Sequence, residues 1–213
     1  MNYIKHILVT TALSLAASIV QAKTIEIPAN RGGYLTSELD GSQPKFISPV
    51  DTQINFIGAL GEQGARQVII GFDLPVLTGK FKSAIVEFRM RSKDAASSYP
   101  WFNIDAYAFT HDPSGGDFYI GSDDPSKLRV SDDLLTNQIA DGALVKIDLT
   151  SFLKTIYNSK KPSVDTVYIR LNPDDPDGNL STGDYREGNF ARYRPILVSS
   201  DNASESLLRI TIQ

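Results

Sequence analysis

Cysteine is absent from all 213 residues, tryptophan occurs once, and methionine and histidine occur twice each. Without cysteine there is no disulfide framework, no thiol nucleophile and no thiolate metal site, so stability has to come from a packed core. His6 lies in a leading segment expected to be removed, which leaves His111 as the one imidazole of the remaining chain. Zinc is therefore disfavoured, and a Ser-His-Asp site would have to use His111. That residue lies beside Asp112 and Pro113 at a strand end, where a surface turn is the expected role. A G-x-S-x-G nucleophile elbow is missing, as is a glycine-rich phosphate loop between a strand and a helix. Among 25 acidic residues some carboxylate pair always has the spacing of a glycoside hydrolase. That is opportunity and not a signal. An excess of positive charge is also lacking: 21 basic residues stand against 25 acidic ones, a net charge of −4. This is a poor match for nucleic acid or anionic lipid, and no nucleic-acid partner is expected.

Long apolar runs are missing except at the start. MNYIKHILVTTALSLAASIVQA carries Lys5 and His6, an apolar stretch from Ile7 to Val20, and small residues at its end. This is the layout of a secretory signal peptide, with Val20-Gln21-Ala22 as the cleavage signal before Lys23. A stretch of about 14 residues falls short of the ~20 needed to cross a bilayer as a helix. The expectation is an exported protein, periplasmic or extracellular, with residues 1–22 as signal peptide, residues 23–213 as a single domain, and no transmembrane segment in the mature chain. A chain of this size can bury roughly 70% of the surface it would expose unfolded.

What the sequence does contain is short runs of period two, broken by Gly, Pro, Asp and Ser. TIEIP, GYLTS, TQINFIG, RQVIIGFDL, SAIVEFRM, WFNIDAYAF, ALVKIDL, DTVYIRL, RPILVSS and SLLRITI are strand candidates. In RQVIIGFDL, Val68, Ile70, Phe72 and Leu74 share one face, while Gln67, Ile69, Gly71 and Asp73 share the other. In SAIVEFRM, Val86, Phe88 and Met90 oppose Glu87, Arg89 and Arg91. Each strand is expected to have one buried and one mostly wet face. Pro75 cannot donate to a ladder and ends the first of these strands; Thr78-Gly79-Lys80 supplies turn chemistry. One helix is expected, TSFLKTIYN, with Thr150 as cap and Phe152, Leu153, Ile156 and Tyr157 as an apolar stripe. Many short strands with one small helix predict an all-β fold, an antiparallel β-sandwich of jelly-roll-like topology.

The segment GFDLPVLTGKFKSAIVEFRM resembles the recurring FDLS-x-LP-x-x-I-x-SA-x-L stretch of DNRLRE-type domains, secreted β-sandwich modules grouped with carbohydrate-binding modules. KIDLTSFLKTI matches the place where such domains have a DVT followed by a short helix, and LLRITI matches their closing strand. Pro75 replaces the usual small polar residue, and the arginine-glutamate signature near the end is absent as such. The resemblance spans residues 24–213 loosely and implies a noncatalytic module of the kind that accompanies polysaccharide-active proteins.

Four segments carry candidate chemistry. Along WFNIDAYAF, Trp101, Asn103, Asp105, Tyr107 and Phe109 alternate with the apolar set Phe102, Ile104, Ala106 and Ala108, and only one set can face the core. The mixed set either forms an outward sugar-binding platform of rings and polar groups or packs beneath a loop or second layer. In LNPDDPDGNLSTGD, Asp175, Asp177 and Asn179 recur at every second position with Asp184 downstream, an oxygen set for calcium. It is not an EF-hand, since Leu180 and Arg186 stand where glycine and glutamate belong, and Asp-Pro-Asp-Gly is ordinary turn vocabulary, so a solvated loop is the favoured reading of the same residues. HDPSGGDFYIGSDDPS adds Asp112, Asp117, Asp123 and Asp124 with less pattern. In DYREGNFARYR, Arg186, Arg192 and Arg194 interleave with Tyr185, Phe190 and Tyr193, a set for carboxylated sugars or a protein partner, or else arginines paired with nearby aspartates. The expected function is a noncatalytic carbohydrate-binding module whose partner is polysaccharide, with no cofactor unless calcium. The alternatives are a structural or adhesive envelope protein with a protein partner, and a small hydrolase.

Overall fold

A computed structural model describes residues 21–37, 45–48, 55–59, 65–92, 103–118, 128–135, 142–159, 164–174, 196–198 and 206–213. Among these are twelve strands and one α-helix. The strands are β1 (Lys23–Pro28), β2 (Arg31–Ser37), β3 (Lys45–Ile47), β4 (Asn55–Ala59), β5 (Ala65–Asp73), β6 (Phe81–Ser92), β7 (Asn103–Phe109), β8 (Leu128–Leu135), β9 (Leu144–Asp148), β10 (Thr166–Asp174), β11 (Ile196–Val198) and β12 (Leu207–Ile212). The helix α1 spans Thr150–Asn158, between β9 and β10.

Every strand pairing is antiparallel. One sheet runs β1-β12-β6-β9 and the other β3-β2-β5-β10-β7-β8; short β11 and β4 join them, β11 lying between β6 and β4 and β4 against β5. The chain crosses between sheets at β5 to β6, β6 to β7, β8 to β9 and β9 to β10, which is the crossover habit of a jelly roll. The fold is the antiparallel sandwich that the period-two runs predict.

Register explains where the core lies. In the first sheet Val86 pairs with Leu208 and Ile147, Ala84 with Ile210, and Ile27 with Leu208, so one face collects aliphatic side chains from β1, β12, β6 and β9. In the second, Ile169 pairs with Ile70 and Ala108, and Leu171 with Val68 and Ala106. These two apolar faces belong to one buried cluster. Phe88 and Phe72, both fully buried, are among its largest members.

The outer face of the first sheet holds charge. Glu87 is only 6% exposed and accepts from Lys146 Nζ at 2.8 Å and Arg209 Nε at 2.7 Å, while Arg209 also reaches Glu26. Lys146 first, and then Arg209, hold the Glu87 carboxyl below its ordinary value of 4.5. The helix occupies the predicted residues but starts differently. Asp148 Oδ1 accepts the Thr150 N–H at 2.7 Å, and the Thr150 hydroxyl takes the Ala84 N–H at 3.1 Å, so Thr150 ties α1 to β6 and does not cap. Strands β3 and β8 lie outside the sequence candidates. β3 is three residues between two prolines, and β8 carries Asp132-Asp133 where an apolar alternation would be. Among the described residues no helix is long and apolar enough to cross a membrane.

Truncation of Phe88 to alanine is expected to cost about 3–5 kcal/mol in urea unfolding, because the ring is fully buried in the apolar core. The Glu87 carboxylate carries a depressed pKa, so its contribution is present above the unfolded value and lost as pH falls through the folded one. Glu87→Gln should therefore lower stability by ~1 kcal/mol at pH 7, a modest figure because Lys146 and Arg209 are solvent-screened, and by much less once the pH lies below the folded value. Urea midpoints of both chains at neutral and acid pH would check this.

Candidate functional site

The second sheet is covered on both sides, and its far face is where the chemistry-bearing residues gather. Opposite the apolar face, register brings Gln67, Ile69 and Gly71 of β5 beside Tyr168, Arg170 and Asn172 of β10, and these beside Asp105, Tyr107 and Phe109 of β7. All nine are buried. The wet face expected for β5 is thus an interior one at Gln67, Ile69 and Gly71. The open platform likewise does not form at Asp105, Tyr107 and Phe109, which take the covered alternative. The reason is a segment that folds back over the face: a 3-10 turn at Gly115–Phe118 packs against β2 and β3, and Arg170 Nη1 donates to the Asp117 carbonyl.

Arg170 is the centre of this layer. Its guanidinium is 0% exposed and lies 4.7 Å from the centroid of the Tyr107 ring, a cation–π contact that gains strength where water is excluded. The Tyr107 hydroxyl donates to Asp105 Oδ2 at 3.2 Å, and Arg129 Nη1 approaches the same oxygen at 3.3 Å from β8. Burial first, with the Asp105 charge adding to it, pushes the Tyr107 phenol up to about 12. The layer is closed inside but opens at Arg129, whose side chain is 44% exposed.

A ring stack continues from it towards the surface. Phe109 lies 5.5 Å from Tyr168, nearly parallel, and 4.8 Å from His111. The Tyr168 hydroxyl donates to Asp112 at 3.3 Å, and burial raises its pKa. Gly71 is required here, since a Cβ would stand 2.8 Å from the Tyr168 ring and 2.9 Å from Arg31 Cβ. Beyond it, Arg31 Nε donates to Asp73 at 2.7 Å, and Asn30 donates to the same carboxylate. Asn30, then Arg31, hold the Asp73 carboxyl below its ordinary value.

His111 sits in a bend beside the layer, its Nε2 2.9 Å from Asp117 Oδ1. Asp117 is buried and also accepts from the Ser114 N–H at 2.6 Å and the Ser114 hydroxyl at 3.1 Å. It therefore fixes the covering turn from within, and its acceptor positions are spent on protein donors. Asp112 and Asp117 do not form a metal cluster, and no group of three or more metal-ligating side chains occurs among the described residues.

Of the other site residues expected from sequence, Asn103 opens β7 opposite Leu135 and Asp174; its side chain lies outside the described residues. Trp101, Arg186 and Arg192 lie outside them too, with Tyr185, Phe190, Tyr193 and Arg194. So do the calcium candidates Asp175, Asp177, Asn179 and Asp184, and the pair Asp123 and Asp124. The central residues Arg170, Arg129 and Asn172 were missed by sequence reasoning. For Arg170 and Asn172 the signal was present in TVYIRLN, where Tyr168, Arg170 and Asn172 alternate with Val167, Ile169 and Leu171, but alternation marks a polar face without saying that protein covers it; Arg129 lies in β8, whose acidic run hid the strand.

No family model matches the chain, and no curated protein does. Among solved structures it is similar to one described as xylan-binding module CBM15, with TM-score 0.37 and 11% identity over 90% of this chain and 97% of that chain. At that level nothing about function transfers.

Arg170→Ala should remove both the ring contact and the tether to the covering turn. The expected cost is about 3 kcal/mol, near the lower end for breaking a buried charged contact, with faster amide hydrogen exchange over residues 111–118 than over β6. Gly71→Val should cost a further ~2 kcal/mol by overpacking against Tyr168, read from the urea midpoint.

Proposed function

We propose that the protein is an exported, noncatalytic carbohydrate-binding module: residues 1–22 a signal peptide, residues 23–213 one sandwich domain acting at the cell surface or outside the cell on polysaccharide. The observation that carries this reading is the polar and aromatic layer on the far face of the second sheet, which reaches solvent at Arg129. A sandwich needs only one apolar face to fold, and burying a guanidinium costs several kcal/mol unless it is well partnered. Tyr107, Asp105 and Arg170 build a rigid base from which Arg129, and Trp101 just ahead of β7, would meet a glycan. Rings supply the surface on which the C–H face of a pyranose stacks, and guanidinium and carboxylate groups bond its hydroxyls. The family resemblance of the β5–β6 segment points the same way.

The competing readings draw less support. A hydrolase needs a carboxylic acid whose pKa is raised; among the described residues the two carboxyls with a shifted pKa, Asp73 and Glu87, are held low by cationic or amide neighbours, so neither supports that reading. An adhesive surface would present a contiguous apolar patch; Ile47, Val76 and Leu144, the exposed large hydrophobics among the described residues, lie on separate elements. Calcium, if bound, would be held by Asp175, Asp177, Asn179 and Asp184 in the segment that follows β10 in sequence.

The test is retention of the purified protein on a panel of neutral and acidic polysaccharides, with and without calcium, beside Arg129→Ala and Trp101→Ala variants. Retention that falls at least about tenfold in a folded variant, ~1.4 kcal/mol of binding, supports the module and its rim. Passage through every polymer unretained rejects carbohydrate binding. Loss of retention on chelation would assign the calcium to the Asp175 loop if Asp175→Ala and Asp177→Ala reproduce it.

A further inference from the structure

A concave site lies where the end of β5 and the start of β10 meet the β5–β6 connection and α1. The β5–β6 connection, residues 74–80, forms one wall; the last turn of α1 forms the other; Val164 and Asp165, leading into β10, close the back. The groove between them measures about 620 Å³, within the range of small-ligand sites. Its floor is Leu74, Leu77, Phe81 and Tyr157, and its rim is Lys80, Asn158 and Asp165.

The walls are pinned by bonds that leave little to reorganise. Leu74 N–H donates to the Asp165 carbonyl at 2.6 Å, and the Tyr157 hydroxyl donates to the Pro75 carbonyl at 3.2 Å, tying helix to loop. Lys80 and Gln213 exchange backbone bonds at 2.8 and 2.9 Å. Ser159 closes the helix by donating its N–H and hydroxyl to the Ile156 carbonyl. Phe81 and Tyr157 stack with centroids 5.3 Å apart, and both rings stay only partly buried. Val76 stands at the mouth, 94% exposed. A preformed groove binds without the ordering cost that a mobile one incurs.

The lining selects the ligand class. A fatty chain would leave the rim's cation, carboxylate and amide facing methylenes, and an anion would meet Asp165 as well as Lys80. One positive, one negative and one amide side chain sum to no net charge while offering both donors and acceptors. Ring faces and aliphatic groups lie below them. An uncharged, polyhydroxylated ring with one apolar face matches both layers. We propose that this groove binds a neutral pyranose unit, separately from the rim at Arg129; the assignment rests on the carbohydrate-binding reading and adds a second point of attachment to it. Two such sites on one chain would raise retention on a polymer through effective concentration beyond what either gives alone.

The experiment is a titration of isotope-labelled protein with neutral glucose-, mannose- and xylose-based disaccharides, followed by amide chemical shifts. Saturable shifts confined to Val76, Lys80, Asn158 and their neighbours are expected. Asn158→Ala and Asp165→Ala should each weaken that binding about tenfold, the size of a lost hydrogen bond to a charged or amide partner. Val76→Trp, at a side chain 94% exposed beside the groove, should block it. Absence of shifts at the groove with any of the sugars, or shifts that Val76→Trp leaves unchanged, overturns the proposal. Shifts produced there by a medium-chain fatty acid and not by sugars would also overturn it and make the groove an apolar-ligand site. Polymer retention lost in Arg129→Ala but groove shifts preserved, or the reverse, separates the fate of this inference from that of the rim.

Discussion

Arg170 is a cation with no access to water, and the second sheet is arranged around that fact. A buried guanidinium is tolerated only when ring faces and acceptors replace its hydration; Tyr107 supplies the ring and the Asp117 carbonyl an acceptor. Asp117 can present that carbonyl because its carboxylate is held by Ser114 and His111. The turn that carries it packs against β2 and β3 and is tied to β10 through Arg170. A sheet whose far face would otherwise be wet thereby acquires a second interior, polar where the first is aliphatic.

The two interiors do different work. Between the sheets, Val86, Phe88, Leu208, Ile210, Phe72, Ile169 and Leu171 supply apolar burial without direction. Beyond the second sheet, hydrogen bonds and ring contacts have geometry, and geometry holds side chains such as Arg129 in fixed positions at the rim. The charged set of Glu87, Lys146 and Arg209 on the opposite outer surface shows a milder form of the same arrangement, a nearly buried carboxylate between two cations that keep contact with water. The β5–β6 connection and the last turn of α1 meet through Tyr157, whose hydroxyl donates to the Pro75 carbonyl, and together they line the groove.

Much of the fold was legible in the residues. Alternation in β5, β6, β9 and β12 located strands because a residue's side is set by backbone geometry alone. Pro75 marked the end of β5, and the apolar stripe from Phe152 to Tyr157 marked α1. Thr150 looked like a cap, and became a tie to Ala84 because Asp148 reached the free N–H first. β3 was too short, and β8 too acidic, for periodicity to separate either from a loop. The candidate site was half legible: Asp105 and Tyr107 stood out in WFNIDAYAF, but whether they faced water could not be read there.

Local chemistry therefore determined which stretches become strands, where they stop, and that no disulfide holds them. It determined two-sidedness in each strand as well, since period two is a property of an extended chain. Only the tertiary structure decided what each second side meets. A polar residue opposite an apolar face reads the same whether its partner is solvent, a ring across the sheet or a turn brought back from further along the chain. For Arg170 the partners come from Tyr107 and Asp117, more than fifty residues away, and it is that long-range meeting which turned an apparent surface into an interior.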